Sequence, residues 1–403
     1  MKWEEIIKLL SMRKSFQILR ERQRELIKKF PDIRKYNQRL REVREKSIGN
    51  PELLNETINN LEENGFNVFL AEDDVEARKI IEERLKEERI VVKSKSNVIR
   101  ELDLERNLSN VEFVETDVGD RIIQLLKEKP SHPTGPASHL SAGFIAQALS
   151  AIYEIDISPN PSEIIKTVKK DIEEKSKLSK IGLSGANAVT GEGSIVLLHN
   201  EGNIFEVISR PEKWIVVTGI DKLYPTIEDA IVSAKVQSYY AVGILIPSFI
   251  EIVSGVAKTT DIEKKLVFEV GRPKEIDVVL VDNGRSSLIN SEFREILYCI
   301  GCGSCVVNCP AHLIHGDRFE GGRYALMSVI RGDRGKLKYC LSCGRCRENC
   351  PLGLNIPEVI NKLSDSKLKK LVVSHLLWLY KSIEFQICSL LVKMNLLNPQ
   401  QKL

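Results

Sequence analysis

Cys299-Ile300-Gly301-Cys302-Gly303-Ser304-Cys305-Val306-Val307-Asn308-Cys309-Pro310 is answered downstream by Cys340-Leu341-Ser342-Cys343-Gly344-Arg345-Cys346-Arg347-Glu348-Asn349-Cys350-Pro351. Each half reads C-x2-C-x2-C-x3-C-P, the bacterial run for a four-iron cluster. Three thiols two residues apart, with Gly between them, let a tight backbone wrap three corners of one cubane. The fourth Cys starts a segment that Pro turns away, so it reaches the other cluster. The spacing therefore assigns Cys299, Cys302, Cys305 and Cys350 to one [4Fe-4S] cluster, and Cys309, Cys340, Cys343 and Cys346 to a second. Pairs of C-x2-C also occur in zinc sites. A zinc site uses four ligands, however, and gives no reason to repeat a four-Cys run closed by Pro. Disulfides need an oxidising compartment, and Met1-Lys2-Trp3-Glu4-Glu5 lacks the basic start and apolar core of a secretory leader.

The chain has 403 residues, enough for two or three domains, and its 42% hydrophobic content suffices for a core in each. Its formal net charge of +3 gives no global pull toward nucleic acid or an anionic membrane. Eight of the nine Cys fall between 299 and 350, so the thiols are a local cofactor device in a reducing, cytoplasmic setting. No stretch approaches 18 uncharged apolar residues, which argues against a spanning helix.

Outward from the Cys runs, the organisation is read as four parts: a helical segment 1–62, an α/β domain 63–290, a cluster domain 291–362 and an amphipathic tail 363–403. Lys14 to Lys29 interleaves basic and acidic residues, as a solvated helix face does. From Gly65 onward strand-like runs (Phe66 to Leu70, Ile90 to Val92, Val111 to Val114) alternate with helical ones, which predicts a mixed, largely parallel sheet covered by helices. Ligands of such sheets sit outside the carboxyl ends of the strands. Lys93 and Lys95 fall at such an end, either as pocket cations or as a solvated loop. His132 and His139 lie in the Pro-rich loop 130–139, with no acidic or thiol partner at metal-ligand spacing, so structural or substrate-positioning roles are expected. Helices are expected over 136–152 and 161–175, and strands over 194–198, 204–208, 214–217 and 276–281. Glu192, between glycines, is either a turn residue or a carboxylate offered to a pocket. A helix from Ser291 to Leu297 leads straight into Cys299, so the cluster domain is expected to dock on the sheet domain.

The segment 310–339 carries Arg318, Arg323, Arg331, Arg334, Lys336 and Lys338. These either face an acidic redox partner or offset the charge of thiolate-ligated clusters. Tyr324 to Ile330 reads as helix, which favours an α-helical ferredoxin type. The apolar tail from Leu368 to Met394 is read as a packing or partner-docking helix, with peripheral membrane contact as the alternative. Cys388 within it reads as a small buried hydrophobe.

Taken together, these residues resemble the iron–sulfur subunits of the lactate-utilisation type, in which an LUD domain is fused to a two-cluster α-helical ferredoxin module. The resemblance rests on Lys93-Ser94-Lys95-Ser96, on Pro130-Ser131-His132 with Pro136-Ala137 and His139, and on Gly185-Ala186 followed by Glu192. Asn200-Glu201-Gly202-Asn203, Val281-Asp282-Asn283-Gly284-Arg285-Ser286 and both Cys runs complete it. It implies an LUD domain related to the sugar-phosphate isomerase and CoA-transferase folds. It further implies assembly with a CCG-domain subunit and a second LUD subunit, and oxidation of L-lactate to pyruvate. The family carries an aromatic, Gly- and Pro-rich insertion between its Cys runs; here that segment is short and basic.

Three functional readings follow. The first is an electron-transfer subunit of a 2-hydroxy-acid oxidising complex, working between electron donor and acceptor proteins. The second is a self-contained enzyme whose pocket uses Lys93, Lys95, His132, His139, Glu192 and Arg285 on a small carboxylate or phosphate. The third is the same relay in a heterodisulfide-reductase-like or glycolate-oxidase-like assembly.

Overall fold

Short Val, Ile and Leu runs without polar alternation form strands buried on both faces, as in a parallel sheet closed by helices. The computed structural model describes residues 3–363 apart from Asp333; the expected tail helix and Cys388 lie outside the described residues. In chain order the strands are β1 (Asn67–Ala71), β2 (Ile90–Lys93), β3 (Glu112–Glu115), β4 (Ile181–Ser184), β5 (Ala188–Thr190) and β6 (Ile195–His199). They continue with β7 (Lys213–Gly219), β8 (Leu223–Tyr224), β9 (Phe249–Val253), β10 (Lys258–Thr259), β11 (Val267–Phe268) and β12 (Glu275–Val281).

The main sheet runs β1-β12-β7-β4-β2-β3, with every neighbouring pair parallel. The mixed α/β class expected from the sequence is therefore the fold. All of β7 is buried, and so is β12 beyond Glu275. Trp214 on β7, wholly buried, donates its indole N–H to Ser184 Oγ at 2.8 Å and ties β7 to β4. From β2 the chain moves outward to β3, then returns through three helices to β4 on the other side of β2. The loops leaving β2 and β4 thus diverge and open a crevice at the carboxyl ends of the strands. A second sheet, β8-β5-β6-β9, flanks this end.

Three N-terminal helices, α1 (Trp3–Lys29), α2 (Ile33–Ser47) and α3 (Pro51–Glu63), bind the parts together. Leu40 of α2, Val236 of the helix Ile227–Val242, and Phe319 and Ile356 of the Cys-rich region share one hydrophobic core. The Cys-rich region is thus docked on the sheet domain. On α1, the face bearing Met12 and Phe16 is buried against Val307. Arg20 departs from the solvated face expected over Lys14 to Lys29, and Arg13, just before that stretch, is likewise tied inward. Arg13 Nε donates to the Leu313 carbonyl at 2.9 Å, and Arg20 Nη1 to the Val307 carbonyl at 3.0 Å. Both acceptors lie in short helices, whose last carbonyls have no partner within the helix.

Other expectations need correcting. Residues 204–208, expected as strand, form the helix Asn203–Ile208. Gly202 enters it at φ 74°, and Ile204, Val207 and Ile208 fall on one buried helical stripe rather than on alternate faces. The helix expected from Pro136 begins at Ala142, where Ser141 caps it by accepting the Phe144 N–H. Instead of a helix over 291–297 there is a 3-10 turn, Arg294–Tyr298. Among the described residues no strand occurs from 299 to 363, and no helix is long and apolar enough to cross a membrane.

Arg44 of α2 joins all three parts. Fully buried, it donates to the backbone carbonyls of Asp221, Leu223 (3.4 Å) and Leu297 (2.7 Å), with its guanidinium over the Tyr224 ring. Arg44→Met strands those carbonyls in a dry site and is expected to lower the unfolding free energy by about 3 kcal/mol. Denaturant midpoints measure this, and Arg44→Lys, which keeps the charge but not the fork, should recover only part of the loss.

Candidate metal centre and the cavity beside it

The two Cys runs adopt one backbone design twice. Gly301 and Ser342 sit in the left-handed region at φ 73° and 50°, and Gly303 and Gly344 follow at 74° and 78°. Each run then enters one helical turn, Ser304–Val307 or Arg345–Glu348. Asn308 and Asn349 close these turns, each amide donating to the carbonyl four residues back at 3.0 and 2.9 Å. The left-handed turn aims the Gly301 N–H at Cys299 Sγ and the Ser342 N–H at Cys340 Sγ, both at 3.4 Å. Such donors favour the thiolate.

In space the thiols fall into two sets. Cys302 is repelled by Cys350 and Cys299, and Cys305 by Cys299, Cys302 and Cys350. Cys346, likewise, feels Cys340, Cys309 and Cys343. The sets adjoin where Cys305 also feels Cys346. Gly322 lies between those two: a Cβ there would stand 2.8 Å from that of Cys346 and 3.2 Å from that of Cys305. A small cavity opens among Cys309, Cys340, Cys343 and Cys346. Burial, first of all, pushes Cys346 up to about 12 and Cys350 up to about 11. Thiols so disposed keep their protons until a cationic centre replaces them. Among the described residues no three His, Cys, Asp or Glu side chains converge on a single ion. Four thiols in each set match the four cysteine ligands of a [4Fe-4S] group.

A cavity of about 270 Å³ fills the crevice between the sheet and the loop Cys299-Ile300-Gly301. Of the six side chains singled out from the sequence, it brings together two, Lys95 and Arg285. Lys95 Nζ bridges Asp117 (3.1 Å) and Asp120 (3.0 Å). Arg285 holds Asp221 through Nε at 2.5 Å and Glu101 through Nη2 at 2.9 and 3.1 Å. The other four lie outside the cavity lining. Lys93 is buried in ion pairs with Glu115 and Glu105. His139 faces Glu128 at 3.8 Å. Glu192 accepts the Ile227 N–H at 2.6 Å and so caps the helix Ile227–Val242. His132 Nδ1 accepts the Thr134 N–H, which leaves the proton on Nε2 for the Gly303 carbonyl at 3.2 Å. It therefore braces the first Cys run.

Three lining residues escaped the sequence reading: His199, Asp221 and Lys222. Burial would raise the Asp221 carboxyl, but Lys222, then Arg285 and Arg44, hold it well below the usual carboxylate range. Lys222 Nζ donates to Asp221 Oδ2 at 2.7 Å and to the Cys299 carbonyl at 2.8 Å. Their position just past the carboxyl end of β7 was the available signal. Arg323, read only as one of several basic residues, is buried beside Cys299 and Cys305 and donates to Asn97 Oδ1 at 2.6 Å.

A family profile described as the LUD domain matches residues 54–281, and one described as a 4Fe-4S dicluster domain matches 295–354. Lactate utilization protein B of Bacillus cytotoxicus is 34% identical over 270 residues, covering 66% of this chain and 55% of that protein. The protein of the same name from Bacillus thuringiensis is 33% identical over 290 residues, 70% of this chain and 59% of that one. The chain thus spans somewhat more than half the length of these curated relatives. A crystal structure of a DUF162 family protein from Deinococcus radiodurans covers 57% of this chain and 96% of that one at 14% identity. Its TM-score of 0.31 is too low to carry an argument.

Burial, opposed in part by its bond to Gly303, pushes His132 down to about 3. Below its ordinary value near 6.5 the unfolded chain binds a proton there that the folded chain refuses. The contribution of His132 to stability is therefore whole above about pH 6.5 and is lost as pH falls toward 3. Between pH 7 and 5 the protein should lose about 2 kcal/mol more than His132→Gln does, measured by denaturant unfolding at each pH.

Proposed function

The chain belongs to the LUD-domain family and carries a 4Fe-4S dicluster domain with two [4Fe-4S] clusters; on that footing we propose that it is the electron-transfer subunit of a complex oxidising a 2-hydroxy acid, in the first instance L-lactate. The observation that carries this reading is the adjacency of the two thiol sets across Gly322, within a chain similar to Lactate utilization protein B. We take Cys299, Cys302, Cys305 and Cys350 as the ligands of one cluster, and Cys309, Cys340, Cys343 and Cys346 as those of the other. Bound there, the clusters supply one-electron transfer.

The surrounding residues have separate tasks. Arg323 sets a buried positive charge beside the first set, and the Gly301 and Ser342 N–H groups stabilise thiolate charge. Gly321 and Gly322 keep side chains out of the space between the sets: a Cβ on Gly321 would stand 2.9 Å from that of Cys309. A CCG-domain subunit and a second LUD subunit are the proposed partners, the first as electron source or sink.

Anaerobically reconstituted protein is expected to hold about eight iron atoms, and Cys346→Ser about four with one reduced-cluster EPR signal kept. With its native partners co-purified, L-lactate should reduce the clusters; clusters that stay oxidised under those conditions would overturn the lactate assignment. Gly322→Val, which drives a side chain between Cys305 and Cys346, should lose iron with all eight cysteines still in the chain.

A further inference from the structure

The 270 Å³ cavity has the walls and position of a ligand site, lying where the loops of β2 and β4 part and closed on one side by Cys299 and Ile300. Its cations are largely committed. Lys95 is shared between two aspartates, Arg285 between Glu101 and Asp221, and Arg323 between Asn97 and Glu320. Lys222 differs in charge balance: it faces one carboxylate, Asp221, which Arg285 also pairs, its second bond goes to the neutral Cys299 carbonyl, and its third N–H is left over. Four carboxylates, Glu101, Asp117, Glu201 and Asp221, also line the cavity, so a doubly charged anion is repelled while a single charge can be met by Lys222.

His199 at the end of β6 supplies an independent pointer. Its side chain lines the cavity and is 5% exposed; Nε2 faces Glu251 Oε1 at 3.5 Å, while Nδ1 has no hydrogen bond within the protein. A buried imidazole in that state needs an outside partner. It stacks on Phe249 and meets Phe205 edge-on, which fixes the ring in place. Val98, Leu297 and Ile300 add an apolar wall.

We infer that this cavity binds a small 2-hydroxy or 2-oxo monocarboxylate, its carboxylate on Lys222 and its second oxygen on His199, and that its charge is felt by the cluster held by Cys299. The inference rests on the proposed cluster assignment, and it is a binding role only, with no bond made or broken. Lys222 is the link, since one ammonium touches both the cavity and the Cys299 backbone. A bound anion opposes adding an electron nearby, so the ligand favours the oxidised protein and, by reciprocity, binds the reduced protein less tightly.

The test uses the reconstituted full-length protein, titrated with pyruvate and with L-lactate. Calorimetry follows binding, and EPR-monitored redox titration follows each cluster. Acetate, which lacks the second oxygen, and inorganic phosphate serve as comparators. The expected result is saturable binding of pyruvate or L-lactate, at least ten-fold tighter than acetate or phosphate. One cluster should become harder to reduce while the other is unmoved. Lys222→Met should weaken binding ten-fold or more. His199→Phe keeps the aromatic stack and removes both nitrogens, so it should bring the affinity down toward that of acetate; it decides the matter if Lys222→Met fails to hold iron. Full iron content with no response to either acid, equal binding of phosphate, or undiminished binding in His199→Phe would overturn the inference and leave the relay reading standing. A protein that holds no iron at all would instead sink the relay.

Discussion

The buried carboxylate of Asp221 is the point on which the assembly turns. Arg285 and Lys222 both donate to its oxygens, and Arg44 holds its backbone carbonyl. Each of these cations comes from a different piece of the chain: Arg44 from α2, Lys222 from the turn after β7, Arg285 from the helix after β12. Without that carboxylate Lys222 would lose its ion pair and the buried Arg285 one of its two, and stripping a buried charge of its partner costs several kcal/mol. Two of them then reach on to the backbone just before and at the first Cys run, Arg44 to Leu297 and Lys222 to Cys299. Sheet domain, helical clamp and cluster domain are therefore held at one charge cluster rather than by a linker.

What local sequence can encode was legible. A C-x2-C-x2-C-x3-C-P run depends on neighbours only a few residues away, and the backbone repeats it faithfully in both halves. Uninterrupted apolar runs such as Trp214 to Val217 and Val278 to Val281 became central strands for the same reason: burial on both faces leaves no room for polar alternation. Where the period was ambiguous the reading slipped. Ile204 to Ile208 is apolar enough for a strand, and only the left-handed Gly202 decides that it starts a helix.

The candidate site was less legible, because its side chains find partners far away in the sequence. Lys93 and Lys95 are two residues apart on one strand end, yet one disappears into an ion pair with Glu115 and the other lines the cavity. His132, expected in a structural or substrate-positioning role, supports Gly303, 171 residues on. His199, passed over in the sequence reading, ends β6 with its Nδ1 left without a hydrogen bond in the protein. Residue type and spacing indicate which side chains are able to do chemistry; only the fold says which of them are already occupied.

The two Cys runs share a backbone but not a setting. In the first, Ser304, Val306 and Val307 are buried and Cys302 is enclosed; in the second, no residue of the helical turn Arg345–Glu348 is buried and Cys343 is exposed. The module thus has an inner and an outer terminal. Water and dioxygen reach the outer one first, so brief aeration would strip its iron while the inner one endures.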